Sequence, residues 1–209
     1  MGMIIRYVGH ACFKIINGDF SVVLDPYADG SVPGLKDMAE TADQVLCSHS
    51  HMDHHGIDNV KIEEKRIDTP FKLDIIKTFH DDREGALRGP NDITVLESDG
   101  FKIVHMGDVG CMIDEDDLLK IKGCDVLMIP VGGFFTIDGK EAAKYVGKIA
   151  PKAVIPMHYR GDTFGYSEIG TVDMFLENVG YPVAKAGSEI STDELPAAPS
   201  VLLMTPANA

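Results

Sequence analysis

The chain has 209 residues, a formal net charge of −14 and a hydrophobic content of 44%. This length suits one globular domain with a sizeable core, since two domains would each be small. The acidic balance argues against nucleic-acid binding, and the longest apolar runs are too short to span a membrane. The first residues do not resemble a signal peptide, and the four cysteines form no CxxC pair, so we expect a cytoplasmic protein with reduced thiols.

Short apolar runs predict strands throughout the chain. They occupy residues 4–8, 12–16, 20–24, 45–47, 71–79, 93–97, 101–106, 125–131 and 153–157. Turn signals separate several of them, such as Asn17-Gly18-Asp19 between the second and third runs. Capping and helix-ending residues in the second half of the chain favour helices between the later strands.

Three helices are predicted in the second half of the chain, over residues 114–122, 142–149 and 172–179. Asp138 and Glu141 form a capping-box pattern before the second helix, and Thr171 is the expected cap of the third. Strands alternating with helices indicate a layered α/β fold. We assign residues 1–190 to one domain and expect 191–209 to be a loosely attached tail, although residues 201–204 could also dock on the body or on a second subunit.

Metal-binding side chains are concentrated in Ser48-His-Ser-His-Met-Asp-His-His-Gly56. His49 and His51 are two positions apart after a short strand, so both imidazoles can face one metal. Asp53 and His54 follow where Gly56 permits a turn, which can direct them to a second metal nearby. The spacing therefore predicts a metal centre, not a solvated loop.

The pattern His-x-His-x-Asp-His over residues 49–54 resembles the hallmark of the metallo-β-lactamase superfamily. Four further residues at the ends of predicted strands match the remaining motifs in order: Asp25, His80, Asp108 and His158. The resemblance implies a four-layer αβ/βα sandwich with a two-metal site at one edge. The start, Gly9-His10-Ala11, is similar to lactonase-like and phospholipase-D-like members, and the nearest likeness is to small predicted Zn-dependent hydrolases of that branch.

The resemblance also implies a role for each ligand position. Three residues would hold one metal, three would hold the other and one would bridge both: His49, His51 and His80; Asp53, His54 and His158; and Asp108. Asp25 would orient the site without binding a metal, and His10 is a candidate catalytic or substrate-contacting residue with a plain turn histidine as the alternative. Zinc is the expected metal, and manganese and iron also suit these ligands.

Two cations at such a site would generate a hydroxide nucleophile at neutral pH and neutralise a developing oxyanion, with Asp53 and Asp108 as catalytic residues. We therefore expect a binuclear hydrolase that acts on a small-molecule ester, lactone or phosphodiester. His51 stands where related diiron proteins carry Glu, which favours hydrolysis over redox chemistry. The alternatives are a metal-binding sensor or scaffold without turnover, and a nucleic-acid phosphodiesterase.

Arg88 and Arg160 lie near predicted ligands in sequence and are expected to bind an anionic substrate, because guanidinium groups pair bidentately with phosphate and carboxylate. The alternative is that they form salt bridges with acidic residues close to them in sequence. Asp81 and Asp82 are read as a solvated acidic loop. The segment 132–136 could form a pocket wall or ordinary core. We predict no nucleic-acid or membrane partner, and a homo-oligomer stays open.

Overall fold

The computed structural model describes residues 2–63 and 67–209, and two β-sheets form its centre. The strands of the first sheet are β1 (Ile4–Gly9), β2 (Cys12–Asn17), β3 (Phe20–Leu24), β5 (Gln44–Leu46) and β13 (Glu189–Ser191). Those of the second are β7 (Lys72–Phe79), β8 (Pro90–Ser98), β9 (Phe101–His105), β10 (Val126–Pro130), β11 (Ala153–Met157), β12 (Val183–Ala186) and β14 (Ser200–Met204). The first sheet has the strand order β13-β1-β2-β3-β5, and the second has the order β12-β14-β11-β10-β9-β8-β7.

The sheets pack face to face through a core of alternate strand residues, including Ile5, Phe13, Leu24, Met128 and Ile155. Because side chains alternate along a strand, each sheet also buries side chains on its outer face, and a further layer of the protein must cover that face. This arrangement confirms the predicted α/β sandwich.

Three α-helices cover the outer face of the seven-stranded sheet: α1 (Glu115–Ile121), α2 (Gly139–Ile149) and α3 (Asp173–Asn178). The α2 helix buries Ala142, Tyr145, Val146 and Ile149, a spacing that places them on one helical face. The predicted capping box is present, with the Asp138 side chain accepting from the backbone N–H of Glu141.

The outer face of the five-stranded sheet is covered differently. Buried side chains from the irregular stretch 27–38, including Tyr27, Val32 and Met38, pack there on Val23. A two-residue pair of strands, β4 (Thr41–Ala42) and β6 (Lys61–Ile62), and the short 3-10 turn Ile57–Asn59 lie in the same region. Among the described residues, this layer contains loops and no α-helix.

Of the alternatives for residues 191–209, the structure shows docking of residues 201–204 on the body and not a loose tail, because β14 pairs in parallel with both β11 and β12 and buries Val201 completely. One predicted helix cap is wrong. Thr171 does not cap α3, whose N-cap is Val172 without a side-chain cap bond; the Thr171 hydroxyl contacts the Asp173 carboxylate instead. No helix in the described residues is long and apolar enough to cross a membrane.

Candidate metal centre

The candidate site lies where the segments that follow five strands converge. His10 follows β1, residues 48–54 follow β5, His80 follows β7, Asp108 follows β9 and His158 follows β11. Each strand is held in a sheet, so the side chains just beyond its end are positioned by rigid structure.

Asp108 is the centre of this arrangement. Its Oδ2 lies 3.2 Å from Nε2 of His54, 3.2 Å from Nε2 of His80 and 3.0 Å from Nε2 of His158. The carboxylate is buried, and its other oxygen has no hydrogen-bond partner. A carboxylate between histidines from three elements is suitably placed to bridge two cations.

Two groups of potential ligand atoms flank Asp108, and in each group the atoms lie within 4.8 Å of one another. One group comprises His49, His51 and His80, and the other His10, Asp53, His54 and His158. A third group, Asp25, His49 and His54, overlaps both of them. The structure thus brings together all seven predicted ligands and adds His10 to the second group.

The donor set fits divalent cations. His49 Nε2 is buried without a hydrogen-bond partner, as is Asp108 Oδ1. Leaving buried polar atoms unsatisfied is costly unless something binds them. Imidazole nitrogens and carboxylate oxygens in groups of three or four are the ligands of zinc, and also suit iron or manganese.

Asp25 supports the centre through hydrogen bonds. Its Oδ1 accepts the backbone N–H of Ser48 at 2.6 Å, and its Oδ2 accepts the Ser48 hydroxyl at 2.5 Å and pairs with His54 Nδ1 at 2.7 Å. Ser48 Oγ also lies 2.9 Å from His49 Nδ1. Asp25 therefore fixes the ring orientation of one candidate ligand directly and of another through Ser48.

His10 lies against the second group. Its Nε2 is 3.2 Å from Asp53 Oδ2, and its ring centroid is 4.1 Å from that of His158. The side chain is buried, whereas the Asp53 side chain keeps 17% of its surface exposed. A buried imidazole beside a partly exposed carboxylate can orient Asp53 or exchange a proton with it.

The loop that carries Asp108 depends on Gly107 and Asn91. Gly107 has φ +55, and a Cβ there would lie 2.3 Å from Asn91 Oδ1. That oxygen accepts the Asp108 backbone N–H at 2.7 Å, while the Asn91 amide donates to the Met106 carbonyl. Asn91 is a supporting residue that sequence patterns did not suggest, since nothing local links it to residue 108.

Backbone strain marks the same region. His10, Asp25 and His158 have φ values of 56, 45 and 52, in the left-handed region that non-glycine residues seldom adopt. Such conformations persist where the surroundings impose them, and they cluster at functional sites.

Burial and charge set the protonation of these groups. Burial lowers the pKa of His10 to about 4, and the neighbouring His158 lowers it as well. Burial and then His54 lower the pKa of His49 to about 3. Burial alone would raise the pKa of Asp108, but His158 and His54 hold it well below its usual range. In the metal-free protein His10 and His49 are thus neutral and Asp108 is ionised. Burial alone would lower the pKa of His54, but Asp108 raises it well above its usual range, so metal binding at His54 requires the loss of a proton.

A cavity of about 320 Å³ opens above the centre. Its lining includes His51, Asp53, His80, Asp108 and His158 together with Arg88, Phe135 and Tyr166. Arg88 therefore lies where the sequence predicted. Arg160 does not line this cavity; it is exposed, and its Nε donates to the Ile169 carbonyl at 3.2 Å.

Asp81 differs from the expected solvated acid. It is 2% exposed and accepts backbone N–H bonds from Arg83, Gly85, Leu87 and Arg88 at 2.7–3.0 Å. These bonds fold the loop between His80 and Arg88 around one carboxylate. An Asp directly before a glycine-containing loop is the signal that could have indicated this role.

Residues 4–158 match a β-lactamase superfamily domain. A UPF0173 metal-dependent hydrolase from Thermococcus onnurineus is 32% identical, over 74% of this chain and 84% of that protein. A metallo-β-lactamase superfamily protein from Thermotoga maritima has a TM-score of 0.75 at 31% identity, over 97% of this chain and 98% of that one. Igni18, a metallo hydrolase from Ignicoccus hospitalis, shares the fold, with a TM-score of 0.64 at 18% identity over 86% of this chain and 91% of its own.

Proposed function

The chain belongs to the β-lactamase superfamily, and its relatives are named metal-dependent hydrolases, so we propose that it is a binuclear metal-dependent hydrolase. The observation that carries the proposal is Asp108 Oδ2, which lies within 3.2 Å of three histidine nitrogens between two ligand groups. We propose zinc as the metal, with manganese and iron as alternatives.

Two divalent cations at this centre would activate water and stabilise negative charge that develops on a substrate. His49, His51 and His80 would hold one cation, Asp53, His54 and His158 the other, and Asp108 both. The Asp53 side chain is partly exposed and lines the cavity, so water or a substrate in the cavity can contact its carboxylate. His10, 3.2 Å away, would orient that carboxylate.

The substrate we propose is a small anionic ester, lactone or phosphodiester. Arg88 supports an anionic group because its guanidinium lines the cavity and forms no ion pair with a described residue. We also propose a cytoplasmic location and a function without nucleic-acid or membrane partners, as the composition predicts.

Elemental analysis of protein purified without chelators, combined with a hydrolysis panel, tests the proposal. We expect about two equivalents of metal per chain and turnover of at least one class among esters, lactones and phosphodiesters. A maximum of one equivalent after reconstitution would contradict a binuclear centre. Metal-replete protein that hydrolyses none of them would favour a sensor or scaffold.

A further inference from the structure

Three aromatic side chains form a row of edge-on contacts that begins in the cavity lining and continues beyond it: Tyr166, Phe135 and Phe134, here called the aromatic wall. The Phe135 ring lies edge-on to Phe134 at 4.7 Å between centroids and to Tyr166 at 6.0 Å. Phe135 and Tyr166 line the cavity directly. The Tyr166 hydroxyl donates to the Ser31 carbonyl at 2.8 Å, which anchors one end of the wall.

Phe134 is held in an unfavourable position. Its backbone has φ +62, and its side chain is 64% exposed. A bulky residue in the left-handed region is a conformational outlier, and an exposed ring adds little to the core. The Phe134 side chain therefore adds little to the stability of the fold. Backbone strain of this kind beside an active site indicates a functional constraint.

Backbone hydrogen bonds hold the loop that presents the wall. The Phe135 backbone N–H donates to the Gly133 carbonyl at 2.8 Å, Gly133 N–H to Ile137 at 3.2 Å, and Gly170 N–H to the Gly132 carbonyl at 2.7 Å. A surface formed before binding loses little conformational freedom when a ligand packs on it.

Arg88 extends this surface with a fixed positive charge. Its guanidinium donates to the Phe134 carbonyl at 3.1 Å and lies 5.7 Å from the Phe135 ring centroid. Its backbone N–H donates to Asp81 at 2.7 Å. No described carboxylate pairs with the guanidinium, so its anion-binding capacity is available beside the rings.

We propose that the site selects anionic substrates that carry a flat aromatic group, with the anion on Arg88 and the ring on the aromatic wall. The inference rests on the proposed hydrolase function, because it assigns that site its substrate class. Ring-to-ring packing gives an aryl ligand an affinity that a methyl ligand of the same charge lacks.

Calorimetric titration of the zinc-loaded protein with phenylphosphonate and methylphosphonate tests this. At a pH above the second pKa of both probes each is a phosphonate dianion, so any metal contribution is common to them and the ratio of their affinities measures contact with the aromatic wall. We expect at least tenfold tighter binding of phenylphosphonate. Arg88→Ala should weaken both probes about tenfold, whereas Phe134→Gly should weaken only phenylphosphonate.

Phe134→Gly also removes the backbone strain, so its melting temperature should equal or exceed that of the parent protein and exclude misfolding as the cause. The matched control is Leu119→Ala on α1, an apolar side chain with the same 64% exposure, which should keep the parent ratio. Equal binding of both probes by the parent protein, or an unchanged ratio in Phe134→Gly, would overturn the inference. A tenfold ratio in a protein that hydrolyses nothing in the panel would overturn the hydrolase assignment alone.

Discussion

Replacement of Asp25 by Asn tests whether a residue without a predicted metal contact controls metal affinity. The substitution keeps the size of the side chain but removes its charge and one of its two acceptor oxygens. Three hydrogen bonds to Ser48 and His54 converge on that carboxylate. An amide cannot satisfy all three, so the imidazole of His54 loses the partner that fixes its orientation.

Removal of a residue that orients a metal ligand without binding the metal itself typically costs ~10–100-fold in metal affinity. At about 1.4 kcal/mol per tenfold, this is roughly 1.4–2.7 kcal/mol. Metal that binds only the folded state stabilises it by the corresponding amount. For a chain of this length each kcal/mol shifts the melting temperature by about 2–4 °C. We expect the stabilisation by saturating zinc to shrink by about 3–11 °C.

Competition with a chromophoric chelator and thermal unfolding with and without zinc measure both quantities. Asp125→Asn is the control, because Asp125 is also buried and accepts from Lys102 and Lys152 away from the site. It should lower the melting temperature equally with and without zinc. Parent-like zinc affinity and stabilisation in Asp25→Asn would refute the argument, and a crystal structure with an Asp25 oxygen bonded to metal would refute its non-ligand role.

Three further outcomes are expected. Asp108→Asn should lose at least one metal equivalent by elemental analysis together with most hydrolysis, because its oxygen faces three histidines; full metal content would contradict bridging. In metal-free protein, His10 protonates more readily when unfolded, since its folded pKa of about 4 is below the ordinary 6.5; its contribution to stability is thus lost as the pH falls from about 6.5 to 4. Urea titrations of His10→Gln should show a shallower decline over that window, and an identical slope would count against this. Deletion of residues 200–209 should abolish cooperative unfolding in calorimetry, because burial of Val201, Leu202 and Met204 is lost and each is worth ~2–5 kcal/mol against a total of ~5–15; a folded deletion variant would show β14 to be dispensable.

Local sequence patterns were sufficient for much of the fold. The strands β1, β2 and β3 agree with prediction within one residue, because alternation and the Asn17-Gly18 turn encode them locally. The capping box before α2 is similarly local. By contrast, β14 depends on partners distant in the chain, and its Pro- and Ala-rich surroundings resemble a tail. Its pairing could not be inferred from its own residues.

The candidate centre likewise contains some residues that local sequence patterns predict and others that they do not. Residues 49–54 are close in sequence and signal metal binding by themselves, whereas the other members were identified by resemblance to a family. Supporting residues were harder to predict. Asp81 looks like any loop acid, and only the folded loop shows four N–H groups directed at it. Arg160 is close to His158 in sequence, yet its guanidinium turns to a backbone carbonyl.

The positions of β13 and β14 have a consequence for biosynthesis. Ile4 of β1 pairs with Ser191 of β13, and β14 lies between β11 and β12 in the other sheet. During translation neither sheet can be completed until residues 189–204 have left the ribosome. Pairing between strands that lie so far apart in the chain is slow. Until then β11 lacks its partner β14, so one edge of β11 is unpaired. The histidines of the candidate centre have left the ribosome before the two sheets are complete. A chaperone that shields this edge, or early capture of a metal ion, would therefore influence the yield of native protein more than the stability of the finished fold.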